Sequence, residues 1–138
     1  MTNRMATSRM ATGILATRKS PSAPEVRAEL WRSFVSLLKS YAAAASLNGL
    51  EHGVLVLTEN SLQVVAVPGT LSVAFYQALG RGVWSVAVNS ELEKGTFELH
   101  LDGAVSLDER VVEMDHAAIE LISSLSTAAN RNRIEVLA

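Results

Sequence analysis

The chain has 138 residues, the usual size of one domain and enough to bury a core without cross-links. Apolar residues make up 49% but aromatic residues only 5%, so the core must consist mainly of aliphatic side chains. Because there is no cysteine, disulfides, thiolate metal sites and a cysteine nucleophile are excluded. Every apolar run is far shorter than the roughly 18 residues of a membrane-spanning helix, so we expect no membrane contact.

Charge is unevenly distributed along the chain. The net charge is −2, yet Arg4, Arg9, Arg18 and Lys19 stand in an N-terminal segment that contains no acid. In the remainder, eight basic residues face fourteen acidic ones, a net charge of −6. An acidic body argues against binding to a nucleic-acid backbone, so we expect no nucleic-acid partner.

Residues 1–22 are rich in Met, Ala, Thr, Ser and Arg, and contain a short direct repeat, RMAT at 4–7 and again at 9–12. We predict that this segment is a disordered N-terminal tail. For the protein as a whole we predict a cytoplasmic location. Two alternatives stay open. Arg-rich, acid-free termini are also typical of organelle transit peptides, and Met5 or Met10 is a possible true start.

The first helix is predicted to begin at Ser22. Its hydroxyl can cap the helix while Glu25 reaches back to form a capping box, and Pro24 suits the first turn. Asn48-Gly49 is expected to end the helix. The apolar residues that follow Ser22 recur at intervals of three and four and form one stripe: Val26, Leu30, Phe34, Leu37, Leu38, Tyr41 and Ala45.

After Gly53 the apolar period changes to two, which predicts strands at 54–58, at 62–67, from 71 onward and at 83–88. In the third strand, Leu71, Val73, Phe75 and Leu79 are predicted to face the core. Gly80-Arg81-Gly82 is expected to turn the chain into the fourth strand.

Asp102-Gly103 predicts a hairpin between the next two strands. A two-residue turn would mix polar and apolar residues on each face. A three-residue loop at 101–103, with Gly103 left-handed, instead pairs Leu99 with Val105 and Phe97 with Leu107. We therefore predict the three-residue loop.

Val111, Val112 and Met114 can add a short last strand before Asp115, which is predicted to cap the second helix. That helix is expected to fray near Ala129 and to leave a loose C-terminal tail at 131–138. Its predicted apolar stripe consists of Ala118, Ile119, Ile122 and Leu125.

The pattern predicts an α+β fold: an N-terminal helix, an antiparallel meander of about five or six strands, and a C-terminal helix, as a two-layer sandwich in one domain at 23–130. Two helices cover one face of such a sheet. The other face is expected to carry apolar residues of the kind that mark an interaction surface. We select Tyr76, Trp84 and Val86 as its contact residues.

The sequence contains no nucleophile-elbow motif, no dinucleotide-binding fingerprint and no phosphate-binding loop, so no catalytic or cofactor-binding residue is assigned. The best constellation for a metal is Glu113, His116 and Glu120 at the start of the second helix. Spacings of three and seven residues place such side chains on one helix face. The same residues also suit the solvated side of an amphipathic helix.

The order helix, antiparallel meander, helix resembles the frataxin architecture, with Gly53-Val54-Leu55-Val56-Leu57 in the position of the first strand. Frataxins carry an acidic ridge on the first helix and the strand that follows. Here that helix offers only Glu25 and Glu29, so the resemblance concerns layout and does not imply iron binding.

The leading interpretation is a non-enzymatic protein-interaction or small binding module that self-associates through the uncovered sheet face as a homodimer, or binds a protein partner there. The alternative is a metal-handling protein that uses the acidic face with Glu113, His116 and Glu120.

Overall fold

The structure is a computed structural model that describes residues 22–137. The predictions for residues 1–21 concern a segment outside this range. The elements in chain order are α1 (Ala23–Ser46), β1 (Gly53–Thr58), β2 (Ser61–Ala66), β3 (Gly69–Tyr76), β4 (Arg81–Val88), β5 (Glu91–Leu99), β6 (Val105–Leu107), β7 (Arg110–Val112) and α2 (Met114–Leu137). The predicted α+β fold is confirmed.

Helix α1 begins with the predicted capping box. The Ser22 hydroxyl accepts a hydrogen bond from the Glu25 amide at 3.3 Å, and the Ser22 amide donates to the Glu25 carboxylate at 2.9 Å. These two bonds satisfy amides that have no partner within the helix. At the other end, Gly49 takes a φ of +112°, which allows the chain to leave the helix and turn toward β1.

The sheet contains seven strands, all antiparallel and arranged in sequence order from β1 to β7. This is more than the five or six predicted, and the two shortest strands, β6 and β7, have three residues each. Short turns join consecutive strands, as a meander requires. The first and last strands therefore lie at opposite edges.

The predicted register of the hairpin between β5 and β6 is confirmed. Leu99 lies opposite Val105 and Phe97 lies opposite Leu107. Gly103 has a φ of +96°, and the His100 amide bonds to the Ala104 carbonyl at 2.9 Å to close the loop. The apolar pattern thus determines the loop length, because the alternative register would place polar groups in the core.

Both helices cover one face of the sheet, and the core lies between the two layers. Aromatic rings form its centre: Trp31 of α1 stacks on Phe75 at 5.3 Å and lies 6.4 Å from Phe97. Gly82 lies beside these rings, and a Cβ there would lie 2.5 Å from Cζ of Phe97. The absence of a side chain at Gly82 therefore makes room for the ring cluster.

Predictions for three residues in the helices and turns are wrong. Ile119 was expected in the apolar stripe of α2 but is 40% exposed. Leu79 was expected in the core, but β3 ends at Tyr76 and Leu79 lies in the following turn, 56% exposed. Asp115 was expected to cap α2, but the helix already starts at Met114, so Asp115 lies in its first turn. The turn after β3, which contains Leu79, is closed by hydrogen bonds from the Leu79 and Gly80 amides to the Tyr76 carbonyl.

Helix α2 continues to Leu137, where the sequence analysis expected a loose tail at 131–138. Asn132 explains part of the difference, because its side chain is buried and hydrogen-bonded. Its amide nitrogen donates to the Ala128 carbonyl at 2.9 Å, and its oxygen accepts from Asn89 at 3.1 Å. A buried amide with both bonds satisfied anchors the helix against the β4–β5 turn.

Candidate functional site

The side of the sheet opposite the helices has no covering layer in the described part of the chain, and we call it the open face. Strand register assigns its residues, since paired residues in antiparallel strands share a face. Several apolar side chains on it are 42% to 68% exposed: Leu55, Leu57, Tyr76, Val83, Leu92 and Val111. The open face is thus where the molecule exposes much of its apolar surface.

Polar residues cross the middle of the open face. Gln63, Ser72, Ser85 and Lys94 lie opposite one another on β2, β3, β4 and β5. The Gln63 amide donates to the Ser72 hydroxyl at 3.4 Å. The open face therefore combines apolar side chains with a row of small hydrogen-bonding groups and one cation.

A concavity of about 780 Å³ lies on this face. Its apolar lining includes Leu57, Ala74, Val83 and Leu92, and its polar lining includes Ser61, Ser72, Ser85, Thr96 and Lys94. Small side chains in the middle and larger ones at the rim produce the hollow. A mainly apolar hollow of this size, with a few hydrogen-bonding groups, is suited to binding and contains no arranged nucleophile and base.

Two of the three predicted contact residues lie on the opposite side of the sheet. Trp84 is 6% exposed and Val86 is 2% exposed, and both belong to the core under the helices. The prediction is wrong because alternation along β4 separates two sets of residues without showing which set the helices cover. Tyr76 does lie on the open face and is 51% exposed.

Trp84 is held by the turn between β6 and β7. Its indole nitrogen donates to Asp108 Oδ1 at 3.3 Å, and the same oxygen accepts from the Thr96 amide at 3.0 Å. The ring lies over Gly95, where a Cβ would be 2.8 Å from Cε2 of Trp84. The sequence alone did not predict this role of Asp108, because a long-range pair leaves no periodic signal.

The two edges of the sheet differ in chemistry. Strand β1 has six residues without a charge, and Leu55, Val56 and Leu57 are 51% to 54% exposed. Strand β7 has three residues and includes Arg110. The first half of β5 extends beyond β6 and carries Glu91, Glu93 and Lys94. Sequence analysis identified β1 as a strand but not as an edge.

Glu120, one of the predicted metal ligands, is bound by a cation. Arg110 of β7 donates to both its carboxylate oxygens, at 2.6 and 3.2 Å. These hydrogen bonds stabilise the charged carboxylate and lower the pKa of Glu120, although partial burial opposes the shift. The pKa of Arg110 is raised by the same contact. An occupied carboxylate is a poor starting point for a metal site.

The other predicted ligands are only partly brought together. His116 Nε2 lies 3.6 Å from Glu120 Oε2, whereas Glu113 precedes α2. Within residues 22–137, no group of three or more His, Cys, Asp or Glu side chains is arranged to hold a metal ion. The structure thus gives the metal interpretation no geometric support.

The remaining two histidines are both half-buried and hydrogen-bonded. His52 lies 2.6 Å from the Leu50 carbonyl through Nδ1 and 2.8 Å from the Ser126 hydroxyl through Nε2. His100 lies 2.7 Å from the Ser106 hydroxyl. Both side chains stabilise loops, since their contacts join the α1–β1 segment to α2 and close the β5–β6 loop.

Comparison of the chain with models of protein families, with curated proteins and with solved structures gave no match. Among the described residues, neither helix is long and apolar enough to cross a membrane. The functional interpretation therefore rests on the geometry of the open face and of the sheet edges.

Proposed function

We propose that this chain is a non-enzymatic binding module that self-associates through its sheet. The observation that carries the proposal is the set of half-exposed apolar side chains on the open face, from Leu55 and Leu57 at one edge to Leu92 across the sheet. Apolar surface of this kind gains free energy when a partner removes it from water. A second copy is the partner that requires no further component.

Sedimentation of the full chain tests the proposal. We expect a monomer–dimer equilibrium that Leu57→Lys shifts strongly toward monomer, because Leu57 lies on the open face, lines the concavity and is 51% exposed. Leu47→Lys is the matched control, since Leu47 is the C-cap of α1, belongs to no strand and is 86% exposed. A wild-type chain that sediments as a monomer at every concentration contradicts the proposal.

The concavity supports a second candidate function, the binding of a small amphipathic anion. Its volume of about 780 Å³ lies within the range of ligand pockets, and its lining is apolar except for hydroxyl groups and Lys94. An aliphatic chain can pack against Leu57, Val83 and Leu92 while an anionic head group meets the Lys94 ammonium. A medium-chain fatty acid has this chemistry.

Titration with decanoate and with decanol, monitored by calorimetry, tests this second candidate. We expect decanoate to bind more tightly than decanol, and Lys94→Gln to remove the difference while the fold is retained. Equal affinity of the two compounds for the wild-type chain would contradict a role for Lys94. Absence of binding by both would rule out the ligand class.

A further inference from the structure

The edge strand β1 lacks most of the features by which sheet proteins protect an edge. Protected edges are short, carry charged side chains or proline, contain a β-bulge, or are covered by another element. Strand β7 is short and charged, and the free half of β5 carries three charged residues. Strand β1 has six uncharged residues and, apart from an irregularity near its end, retains a regular ladder to β2. Within residues 22–137, the outward backbone groups of β1 form no hydrogen bond, so they can pair with an added strand.

Helix α1 does not cover this edge. Val56 points to the helix side of the sheet, because it lies opposite the buried Leu62, yet it is 54% exposed. A groove of about 320 Å³ runs between α1 and β1, and its lining includes Val35 and Val56. Apolar side chains are thus exposed on both sides of β1, which an added strand would cover.

We propose that a second copy of this chain pairs with it edge to edge, β1 against β1 in antiparallel orientation, and joins the two sheets into one. This inference rests on the self-association proposed above and specifies where it occurs. In a two-fold arrangement each residue of β1 meets itself or a neighbour an even number of positions away. Leu55 thus meets apolar residues on the open face, and Val56 meets apolar residues on the helix side.

The charges around β1 fit a second copy. Glu51 and Glu59 flank the strand, whereas Arg32 and Lys39 of α1 line the groove beside it. Helix α1 runs antiparallel to β1, since Trp31 donates to the Glu59 carbonyl at 2.8 Å and Ser46 accepts from the His52 amide at 2.9 Å. Antiparallel pairing brings Glu51 of one copy to the end of β1 where Glu59 and Arg32 of the other copy lie. Charges of both signs therefore meet at each end, and because β1 itself carries no charge, no like charges face each other along the paired strands.

Two lysine substitutions separate edge pairing from packing through the middle of the open face. Val56→Lys places a charge on the helix side of β1, outside the open face. Inward-pointing charges on edge strands are a natural device against pairing, and the two-fold axis would bring two such lysines together. Leu92→Lys is the matched substitution, because Leu92 is 62% exposed on the open face but lies on β5, far from β1.

Sedimentation of the full chain and both variants, with circular dichroism to verify folding, decides the question. We expect Val56→Lys to weaken the dimer at least tenfold and Leu92→Lys to leave its dissociation constant within about twofold. The reverse pattern would overturn edge pairing but leave self-association through the open face in place. A wild-type monomer would overturn both proposals. Should Val56→Lys unfold the chain, Val56→Thr, which keeps the shape but reduces apolar surface, is expected to weaken the dimer less.

Discussion

Asp108 joins three parts of the sheet through one side-chain oxygen. Oδ1 accepts hydrogen bonds from the Trp84 indole and from the Thr96 amide, and the Asp108 amide donates to the Thr96 carbonyl at 3.0 Å. The indole passes over Gly95 to reach it. Charge-assisted bonds of this kind stabilise a fold more than neutral ones do, so the small residue at 95 and the acid at 108 act together.

Gly95→Ala tests this contact. The added methyl group would overlap Asp108 Oδ1 and lie 2.8 Å from the Trp84 ring, so the ring and the turn must move. We expect a loss of about 1–3 kcal/mol in the free energy of unfolding, the usual cost of overpacking a core. Urea denaturation measures it. Gly53→Ala is the control, because nothing lies within 4 Å of a Cβ there, and an equal loss in both variants would contradict the account.

Glu120 is expected to give stability a measurable pH dependence. Arg110 lowers the pKa of this carboxylate below its usual 4.5. The unfolded chain therefore takes up the proton of Glu120 at higher pH than the folded chain does. The stability that the Arg110–Glu120 contact adds is present above about pH 4.5 and is lost as the pH falls through the lowered pKa. Glu120→Gln should lower the melting temperature slightly near neutral pH, and the difference should vanish in acid.

Thermal unfolding from pH 7 to pH 3 provides the measurement for Glu120. The effect at neutral pH is expected to be small, because the Arg110 and Glu120 side chains are 57% and 32% exposed and solvent screens their attraction. Glu91→Gln serves as the control, since Glu91 forms no ion pair within the described range. If the difference in melting temperature between the wild-type chain and Glu120→Gln grew as the pH fell, the predicted direction of the pH dependence would be wrong.

At the scale of elements, the β6–β7 hairpin is the most strained connection. Asp108 and Glu109 have φ values of +51° and +75°, a left-handed conformation that side chains disfavour. A two-residue turn between right-twisted strands requires this conformation at both positions and favours Asn-Gly or Asp-Gly. The chain has Asp at the first position, where it binds Trp84, but Glu at the second.

Glu109→Gly is expected to relieve that strain. Glycine adopts positive φ without steric cost, so the variant should be more stable by about 0.5–1 kcal/mol, after the larger entropy of glycine in the unfolded chain is subtracted. Chemical denaturation provides the measurement. Glu98→Gly, near the C-terminal end of β5, should instead lower the free energy of unfolding, because glycine weakens a strand. A loss of stability in Glu109→Gly would contradict the strain argument.

Local patterns in the sequence were sufficient to predict most elements. The Ser22–Glu25 box predicted the start of α1, and the requirement for one apolar face predicted the pairing of Leu99 with Val105. Features that depend on distant contacts were not predictable. Alternation could not show which face of β4 the helices cover, so Trp84 was misplaced. Spacing within α2 could not show that Arg110 from β7 would bind Glu120.

At the scale of the whole molecule, one face of the sheet and the β1 edge are left uncovered by the described residues. Edge pairing through β1 would double the sheet to fourteen strands and leave the open-face concavity of each copy accessible. Packing through the middle of the open face would fill these concavities. The two arrangements therefore differ in whether a dimer still has room for a small ligand. The uncharged edge and the half-exposed Val56 favour edge pairing.

Hydrogen exchange of the β1 backbone amides at a low and a high protein concentration tests this account most directly. Alternate amides of β1 bond to β2 and should be protected at both concentrations, whereas the outward-directed amides have no β2 partner. We predict that these outward amides of residues 53–58 exchange rapidly in dilute solution and become protected at high concentration, as a second β1 pairs with them. Exchange of these amides that is equally rapid at both concentrations would contradict the proposed pairing.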